Sequence, residues 1–212
     1  MVMFVILYQK NPLYVRFLMS RWTKMWILLG VIGFVFMFVF DILSMKQKVV
    51  LKYLFGIFGL VLLIFSIIQI SFTKSDLNVS LSLLIIGYIL FALSMSLLIY
   101  SVFYEVGFKQ TYKKQSEFEL VTNGTYRLTR HPGVMWLFIV FLSISLMFQN
   151  YYMLVAGGVW TFTNCVYVCM QEKYIFVKVF NGYKEYQNTT PMILPNITSI
   201  KKTLQEKNWR KL

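Results

Sequence analysis

Two short stretches of the sequence hold residue types that could bind a charged small molecule. Thr129-Arg130-His131-Pro132 places the only histidine of the chain beside an arginine, and Gln171-Glu172 places a carboxylate beside an amide. Arg130 offers a forked donor, and His131 can donate or accept. Pro132 suits the first position of a helix, whose free N–H groups and dipole attract anions. A cationic loop opposite a carboxylate could bind a zwitterion.

A structural interpretation of the same residues is also open. Arg127 and Arg130 could be basic anchors beside a membrane helix, where such residues are common. His131 could simply cap that helix. The local chemistry alone does not decide between the two interpretations.

The elements that position these residues are expected to be membrane helices. The chain is 58% hydrophobic and only 14% charged, whereas soluble domains contain about 25% charged residues. Five apolar blocks approach or exceed the roughly 20 residues that cross a bilayer. They are Trp22–Leu43, Val49–Phe72, Val79–Tyr104, Pro132–Phe148 and Tyr151–Met170. This predicts an all-α, polytopic membrane helical bundle of about five transmembrane helices.

The topology of the last two predicted spans brings the two stretches together. The chain crosses the membrane twice between Arg130 and Glu172, and the turn between the crossings is short. We therefore expect the two residues to face each other across a narrow gap. One face then has sixteen Lys and Arg residues against five on the other. The positive-inside rule assigns the more basic face to the cytoplasm, although the four N-terminal positive charges fall on the opposite side.

The remaining segments divide the chain into two predicted regions. Residues 1–104 form the N-terminal membrane spans, after an interfacial segment over 1–20, and residues 105–212 hold most of the polar groups. Residues 171–195 alternate charged with apolar side chains, which favours an interfacial helix. Asp41 and Glu105 lie at span ends, so no function is assigned to them.

Composition also bears on partners and location. The basic residues lie beside spans and suit an anionic lipid leaflet better than nucleic acid. No other cysteine accompanies Cys165 and Cys169 to form a metal site. The lack of targeting signals and the Lys/Ile/Phe-rich composition favour a bacterial cytoplasmic membrane, with the polar site on its cytoplasmic face. The sequence leaves the oligomeric state open.

A longer pattern resembles a known family. It consists of LVTNGTYRLTRHP at 120–132, QEKYIFVKVFNGYKEY at 171–186 and the PMILP that follows. The pattern resembles the isoprenylcysteine carboxyl methyltransferases, which belong to a wider group of integral-membrane methyltransferases with the phospholipid methyltransferases. The resemblance covers roughly the C-terminal half.

The resemblance implies transfer of a methyl group from S-adenosyl-L-methionine to a lipid-like or small membrane-partitioning acceptor. The acceptor could be a carboxyl, an amine or a thiol. His131 and the helix that follows would hold the cofactor carboxylate, and Gln171 with Glu172 its ammonium. Arg130 and Glu172 are the residues expected to act in catalysis. The implied cofactor contacts are Leu120, Val121, Tyr126, His131, Pro132, Gly133, Val134, Gln171 and Glu172.

Departures from the family pattern keep two other functions open. Gln171 stands where the family has the first of two carboxylates, and Trp136 replaces a small residue. Tyr167 stands near the place of an arginine that carboxyl methyltransferases use for their acceptor carboxylate. The alternatives are an NADPH-dependent membrane reductase of the sterol-reductase type, and a catalytically silent member of the family.

Overall fold

The computed structural model describes residues 12–75, 77–105 and 120–209 of the chain. These residues form helices connected by short loops. The helices are α1 (Pro12–Met45), α2 (Val49–Ser71), α3 (Leu81–Ile99), α4 (Thr125–Leu128), α5 (Pro132–Met147), α6 (Tyr151–Gln171), α7 (Tyr183–Thr189) and α8 (Ile197–Trp209). Helix α3 continues as a π-helical turn to Glu105, and α6 continues through a π-helical turn to Val179.

The described helices confirm an all-α membrane bundle. Four of them contain segments long and apolar enough to cross a membrane: Arg21–Met45, Val50–Ser71, Leu81–Glu105 and Tyr151–Val179. The fifth predicted span is present as α5, which has only 16 residues. At about 1.5 Å per residue it is shorter than the roughly 30 Å hydrocarbon core. Large apolar side chains such as Val50 and Leu81 point outward, as lipid contact requires.

The helices pack as a chain of neighbours around α6. Helix α1 lies against α2, α3 against α5, and α6 contacts both α1 and α5. Trp160 of α6 is fully buried in the core, and its indole N–H donates to the Ile27 carbonyl of α1 at 2.9 Å. Phe141 of α5 packs edge-on against the same indole ring. The bundle core therefore centres on α6.

Glycines set the close approach between neighbouring helices. A Cβ atom built on Gly59 of α2 would lie 2.7 Å from the Gly33 carbonyl oxygen of α1. On Gly87 of α3 it would lie 3.0 Å from Leu146 of α5. Gly56, Gly59 and Gly87 are therefore packing positions, because a Cβ atom at each would clash with or crowd a neighbouring helix.

The end of the bundle away from Glu172 is held by Asn150. Its side-chain amide donates to the carbonyls of Ile70 and Thr73 at 2.8 and 2.7 Å, and its carbonyl caps α6 by accepting from the Met153 N–H. Every contact is with a neutral group, and the residue is only 1% exposed. This hydrogen-bonded node ties α2 to the turn between α5 and α6.

One sequence prediction about helix boundaries is wrong. The stretch 171–195 is not one interfacial helix, since α6 runs on to Val179 and α7 begins only at Tyr183. Gly182 separates them with a φ of 76°, a conformation that costs other residues more. Of the predicted interfacial segment 1–20, residues 12–20 are the helical start of α1 ahead of the candidate span Arg21–Met45, and residues 1–11 lie outside the described residues, so the interfacial position stays a prediction. The division at 104/105 stays a prediction.

Candidate functional site

The polypeptide that leads to Arg130 is positioned by Glu105 at the end of α3. The Glu105 carboxylate accepts from the Thr125 backbone N–H at 2.7 Å and also from the Thr125 hydroxyl. Gly124 precedes this contact with a φ of 61°, and a Cβ atom there would lie 1.6 Å from a Glu105 oxygen. Only glycine therefore fits this turn, and Glu105 fixes where α4 begins.

The segment after α7 holds Arg130 and His131 through its main chain. The Arg130 N–H donates to the Pro191 carbonyl and the His131 N–H to the Met192 carbonyl, both at 2.9 Å. Pro132 then starts α5 without needing a backbone partner of its own. These paired bonds fix the direction in which both side chains leave the backbone.

Both side chains point to Glu172, at the end of α6. Arg130 Nε and Nη2 donate to the two carboxylate oxygens at 2.7 and 3.0 Å, a bidentate pair. His131 Nε2 lies 2.9 Å from Glu172 Oε1. The predicted meeting of the two stretches is thus confirmed, and they touch directly where a gap was expected.

Two residues of α7 complete the surroundings of the carboxylate. The Tyr183 hydroxyl donates to Glu172 Oε1 at 3.0 Å, and the Gln187 side-chain amide donates to Oε2 at 2.9 Å. Five donor atoms therefore contact a group that has about four lone-pair sites. Among the described residues, Glu172 has no acceptor capacity left over.

Four of the five side-chain N–H donors of Arg130 form hydrogen bonds, two of them to Glu172. Its Nη1 donates to the Gln187 and Thr190 carbonyls at 3.0 and 2.6 Å. Burial acts to lower the pKa of Arg130, but the hydrogen bonds to Glu172 and its negative charge raise it overall. The guanidinium is therefore a permanent charge that joins α5, α6 and the segment after α7.

Aromatic rings cover this cluster. His131 stacks on Phe176, with ring centroids 5.8 Å apart and planes inclined by 15°. Tyr183 and Tyr186 are buried, and the Tyr186 hydroxyl donates to the Tyr126 carbonyl. Burial first, and then the negative charge of Glu172, raise the pKa of Tyr183 well above its usual value. Tyr183 thus stays a hydrogen-bond donor at any physiological pH.

Gln171 does not join the Glu172 cluster. Its side-chain amide donates to Asp41 Oδ2 of α1 at 2.7 Å and lies 2.8 Å from the Tyr167 hydroxyl. That hydroxyl in turn donates to Asp41 Oδ2. Because successive helix residues point about 100° apart, the neighbours Gln171 and Glu172 serve two different polar clusters.

The other predicted cofactor contacts lie around the same loop. Leu120 and Val121 precede α4 and are half-buried. The pKa of Tyr126 is raised to about 12, first by burial and then by the negative charge of Glu105. Pro132 and Val134 are buried in the first turn of α5. Gly133 lies under α3, because a Cβ atom there would meet Val102 and Leu98.

A cleft of about 270 Å³ opens beside the cluster. Of the predicted cofactor contacts, only Leu120 lines it, together with Tyr186 of the aromatic cover. The other lining residues are mostly polar: Thr122, Arg127, Gly182, Glu185, Thr189, Thr190 and Lys202. Small-molecule pockets usually measure roughly 300–1,000 Å³, so this cleft suits part of a nucleoside-sized ligand.

Sequence reasoning missed three residues that the structure makes important. Gln187 sits four residues after Tyr183, a spacing that places both on one helix face and was available as a signal. Glu105 and Asp41 were set aside as span-end carboxylates. A polar residue within an apolar block is a functional candidate by default, and that signal was present for Asp41.

Comparison with known proteins bears on the same region. The family model described as phospholipid methyltransferase matches residues 82–182. This match confirms the family resemblance. The matched range covers just under half of the chain. It includes nearly all of α3, the whole of α5 and α6, and the residues Arg130, His131 and Glu172. Helix α1 with Asp41, and α7 with Tyr183, lie outside the matched range. No curated protein and no solved structure matches the chain.

Proposed function

We propose that the protein is an S-adenosyl-L-methionine-dependent methyltransferase that acts on a lipid-like or small hydrophobic acceptor. The observation that supports this most is the Arg130–His131–Glu172 cluster, buried at one end of a membrane bundle and within the family match. The coarser assignment, a membrane methyltransferase family, rests on the match alone. The cofactor, the acceptor and the residue roles are the proposal.

The residues present fit the amino-acid part of this cofactor. Two buried polar groups near the cluster have no hydrogen-bond partner among the described residues. They are the hydroxyl of Thr129, next to Arg130, and the indole N–H of Trp136, one turn into α5. Buried polar groups are normally hydrogen-bonded, so these two are available to a polar ligand. For a carboxylate, Arg130 provides a positive group and His131 a hydrogen-bond donor, and Glu172 provides a negative group for an ammonium.

A zwitterion can enter this cluster without leaving a charge uncompensated. On binding, Arg130 and His131 would release Glu172 and bind the carboxylate of the ligand. Glu172, released from Arg130 and His131, would bind the ammonium of the ligand. Breaking the same ion pair with a ligand of a single charge would leave one buried charge unpaired, which is costly. The cluster is therefore selective for ligands that carry both charges.

The bound cofactor would supply an activated methyl group on a sulfonium. An acceptor lone pair forms the new bond to carbon while the carbon–sulfur pair remains on sulfur, so the chain must mainly align the two and exclude water. Arg130, His131 and Glu172 would fix the donor end, and Phe176 with Tyr183 would exclude water. An amine or thiol acceptor must also lose a proton, which His131 could accept.

The acceptor is proposed to enter from the lipid at the cytoplasmic face of a bacterial cytoplasmic membrane. Most described basic residues gather at the end of the bundle that contains Glu172: Lys46, Lys48, Lys52, Arg127, Arg130, Lys173, Lys178, Lys184, Lys201 and Lys202. Such an excess is typical of cytoplasmic loops. The family description favours a phospholipid amine over a prenylcysteine carboxylate, as does Tyr167 in place of an arginine.

Calorimetry of the purified protein tests the function directly. We expect S-adenosylhomocysteine to bind and NADPH not to bind. Binding of NADPH alone would support the reductase alternative, and binding of neither would support a silent protein. Incubation of membranes with labelled donor, followed by mass spectrometry of the methylated products, would identify the acceptor.

His131→Ala tests the placement of the cofactor. We expect it to abolish S-adenosylhomocysteine binding while the protein stays folded, because the backbone bond from residue 131 to Met192 does not depend on the ring. Ser96→Ala is a matched control, since the Ser96 hydroxyl is exposed and donates only within its own helix. Unchanged affinity in His131→Ala would rule out the site as proposed.

A further inference from the structure

Asp41 is a carboxylate in an unusual place. It lies within the membrane-spanning part of α1, Arg21–Met45, whose other described residues include no acidic side chain. Charged groups within spans are costly, and where they occur they are commonly functional. The residue lies outside the matched family range, so nothing in the family comparison accounts for it.

Helices α1 and α6 run parallel, which brings Asp41 to the proposed active-site end of the bundle. Gly30 of α1 meets Trp160 of α6, and Asp41 meets Gln171. Both intervals are eleven residues, so the two helices stay in register. Asp41 is thereby separated from the Glu172 cluster only by the end of α6.

One oxygen of Asp41 is oriented by α6, and the other is not used. Oδ2 accepts from the Tyr167 hydroxyl and from the Gln171 amide. Oδ1 has no hydrogen-bond partner within the described ranges, and no described Lys, Arg or His forms an ion pair with the carboxylate. Tyr167 and Gln171 therefore fix the carboxylate without neutralising it.

The contrast with Glu172 indicates what Asp41 can bind. Glu172 has five hydrogen-bonding neighbour atoms, two of them from the cationic Arg130, whereas Asp41 has two neutral donors and a free oxygen. A carboxylate that is half-buried, oriented and uncompensated is suited to a cation that can also donate a hydrogen bond. Gln171 supplies no charge, so Asp41 is the negative group on this side of α6.

We propose that Asp41 binds the alkylammonium group of a ligand held between α1 and α6, with Tyr167 and Gln171 as positioning residues. This inference rests on the proposed function for the identity of the ligand. Two ligands share the chemistry: the amine headgroup of a phospholipid acceptor, and the amino group of the cofactor, which in that case would bind Asp41 in place of Glu172. Lys46 and Lys48 follow Asp41 by five and seven residues and are exposed, which would suit the phosphate of a lipid headgroup.

Asp41→Asn tests the proposal in the full-length protein reconstituted in nanodiscs. Asparagine keeps the shape and removes the charge. One arm measures calorimetric binding of S-adenosylhomocysteine against methylthioadenosine, which lacks the amino acid. The other measures binding of phosphatidylethanolamine against phosphatidylglycerol, which lacks the amine, by native mass spectrometry without any cofactor. Asp41→Glu, which keeps the charge, is the rescue variant.

We expect Asp41→Asn to weaken one ammonium-bearing probe by about tenfold or more, with its ammonium-free counterpart unchanged and with partial recovery in Asp41→Glu. The probe that weakens identifies the source of the ammonium. If Asp41→Asn binds S-adenosylhomocysteine and phosphatidylethanolamine as tightly as the wild type does, the proposal is overturned. Wild type that binds neither nucleoside would contradict the proposed methyl transfer, while the lipid arm would still decide the role of Asp41.

Discussion

Two carboxylates at the same end of the bundle, Glu172 and Asp41, differ in almost every respect. Glu172 is enclosed by Arg130, His131, Tyr183 and Gln187, which satisfy both of its oxygens. Asp41 is oriented through one oxygen by two neutral groups. Glu172 connects several segments of the chain through hydrogen bonds to both of its oxygens. Asp41 is oriented by its neighbours, but its negative charge is not neutralised by them.

The comparison separates stability from binding in this chain. Breaking a buried ion pair leaves its partners uncompensated and is strongly destabilising. Removing a charge that has no counter-ion relieves an unfavourable burial. The cluster inside the family match is therefore expected to contribute both to folding and to the proposed cofactor site, whereas the carboxylate outside the match is expected to contribute to ligand binding and little to folding.

The largest effect is expected from Glu172→Gln. The change leaves Arg130 and His131 without their carboxylate, so the free energy of unfolding should fall by about 3 kcal/mol, with loss of S-adenosylhomocysteine binding. Thermal unfolding in detergent measures the first effect and calorimetry the second. Glu185→Gln is the control, because Glu185 is exposed on α7 and should change stability by less than about 0.5 kcal/mol. Equal stability of the two variants would break the comparison.

A smaller effect is expected from Tyr183→Phe. It removes one hydrogen bond to Glu172 and keeps the buried ring, so the free energy of unfolding should fall by about 1.5–2 kcal/mol. Since the pKa of Tyr183 is raised, the difference from wild type should stay constant from pH 6 to pH 9. A difference that vanished within that range would show that the hydroxyl is not the donor.

The smallest effect on stability is expected from Asp41→Asn. No cation is lost, and Tyr167 and Gln171 can still bond to an amide, so the free energy of unfolding should change by no more than about 0.5 kcal/mol or rise slightly. Thermal unfolding beside Glu172→Gln sharpens the contrast. A loss as large as that of Glu172→Gln would mean that the charge of Asp41 is already compensated.

Much of this architecture could be predicted from the sequence, because long apolar blocks have few ways to fold in a membrane. The return of Arg130 and Glu172 to one rim followed from counting crossings, and the structure confirms it. The divergence of Gln171 and Glu172 was not predictable, since it depends on where α1 places Asp41. The break at Gly182 was missed because alternating charged and apolar residues also suit a continuous helix.

Position along the chain was also misleading for the carboxylates. Glu105 and Asp41 were set aside because a side chain at a span end can reach water. Instead, Glu105 is bonded to Thr125, and Asp41 faces a neighbouring helix. Which neighbour a span end meets is tertiary information, and the sequence of either helix alone does not contain it.

The backbone bonds from Arg130 and His131 to the carbonyls of residues 191 and 192 have a consequence for how this region can vary. Every amino acid supplies a carbonyl, so the identities at these two positions can drift without disturbing the hold on the loop. The number of residues between Tyr186 and Met192 cannot change in this way. Tyr186 is held by its hydrogen bond to the Tyr126 carbonyl, so one insertion or deletion would shift both carbonyl acceptors out of reach. Among relatives, we expect the length of this segment to vary less than the amino acids at positions 191 and 192.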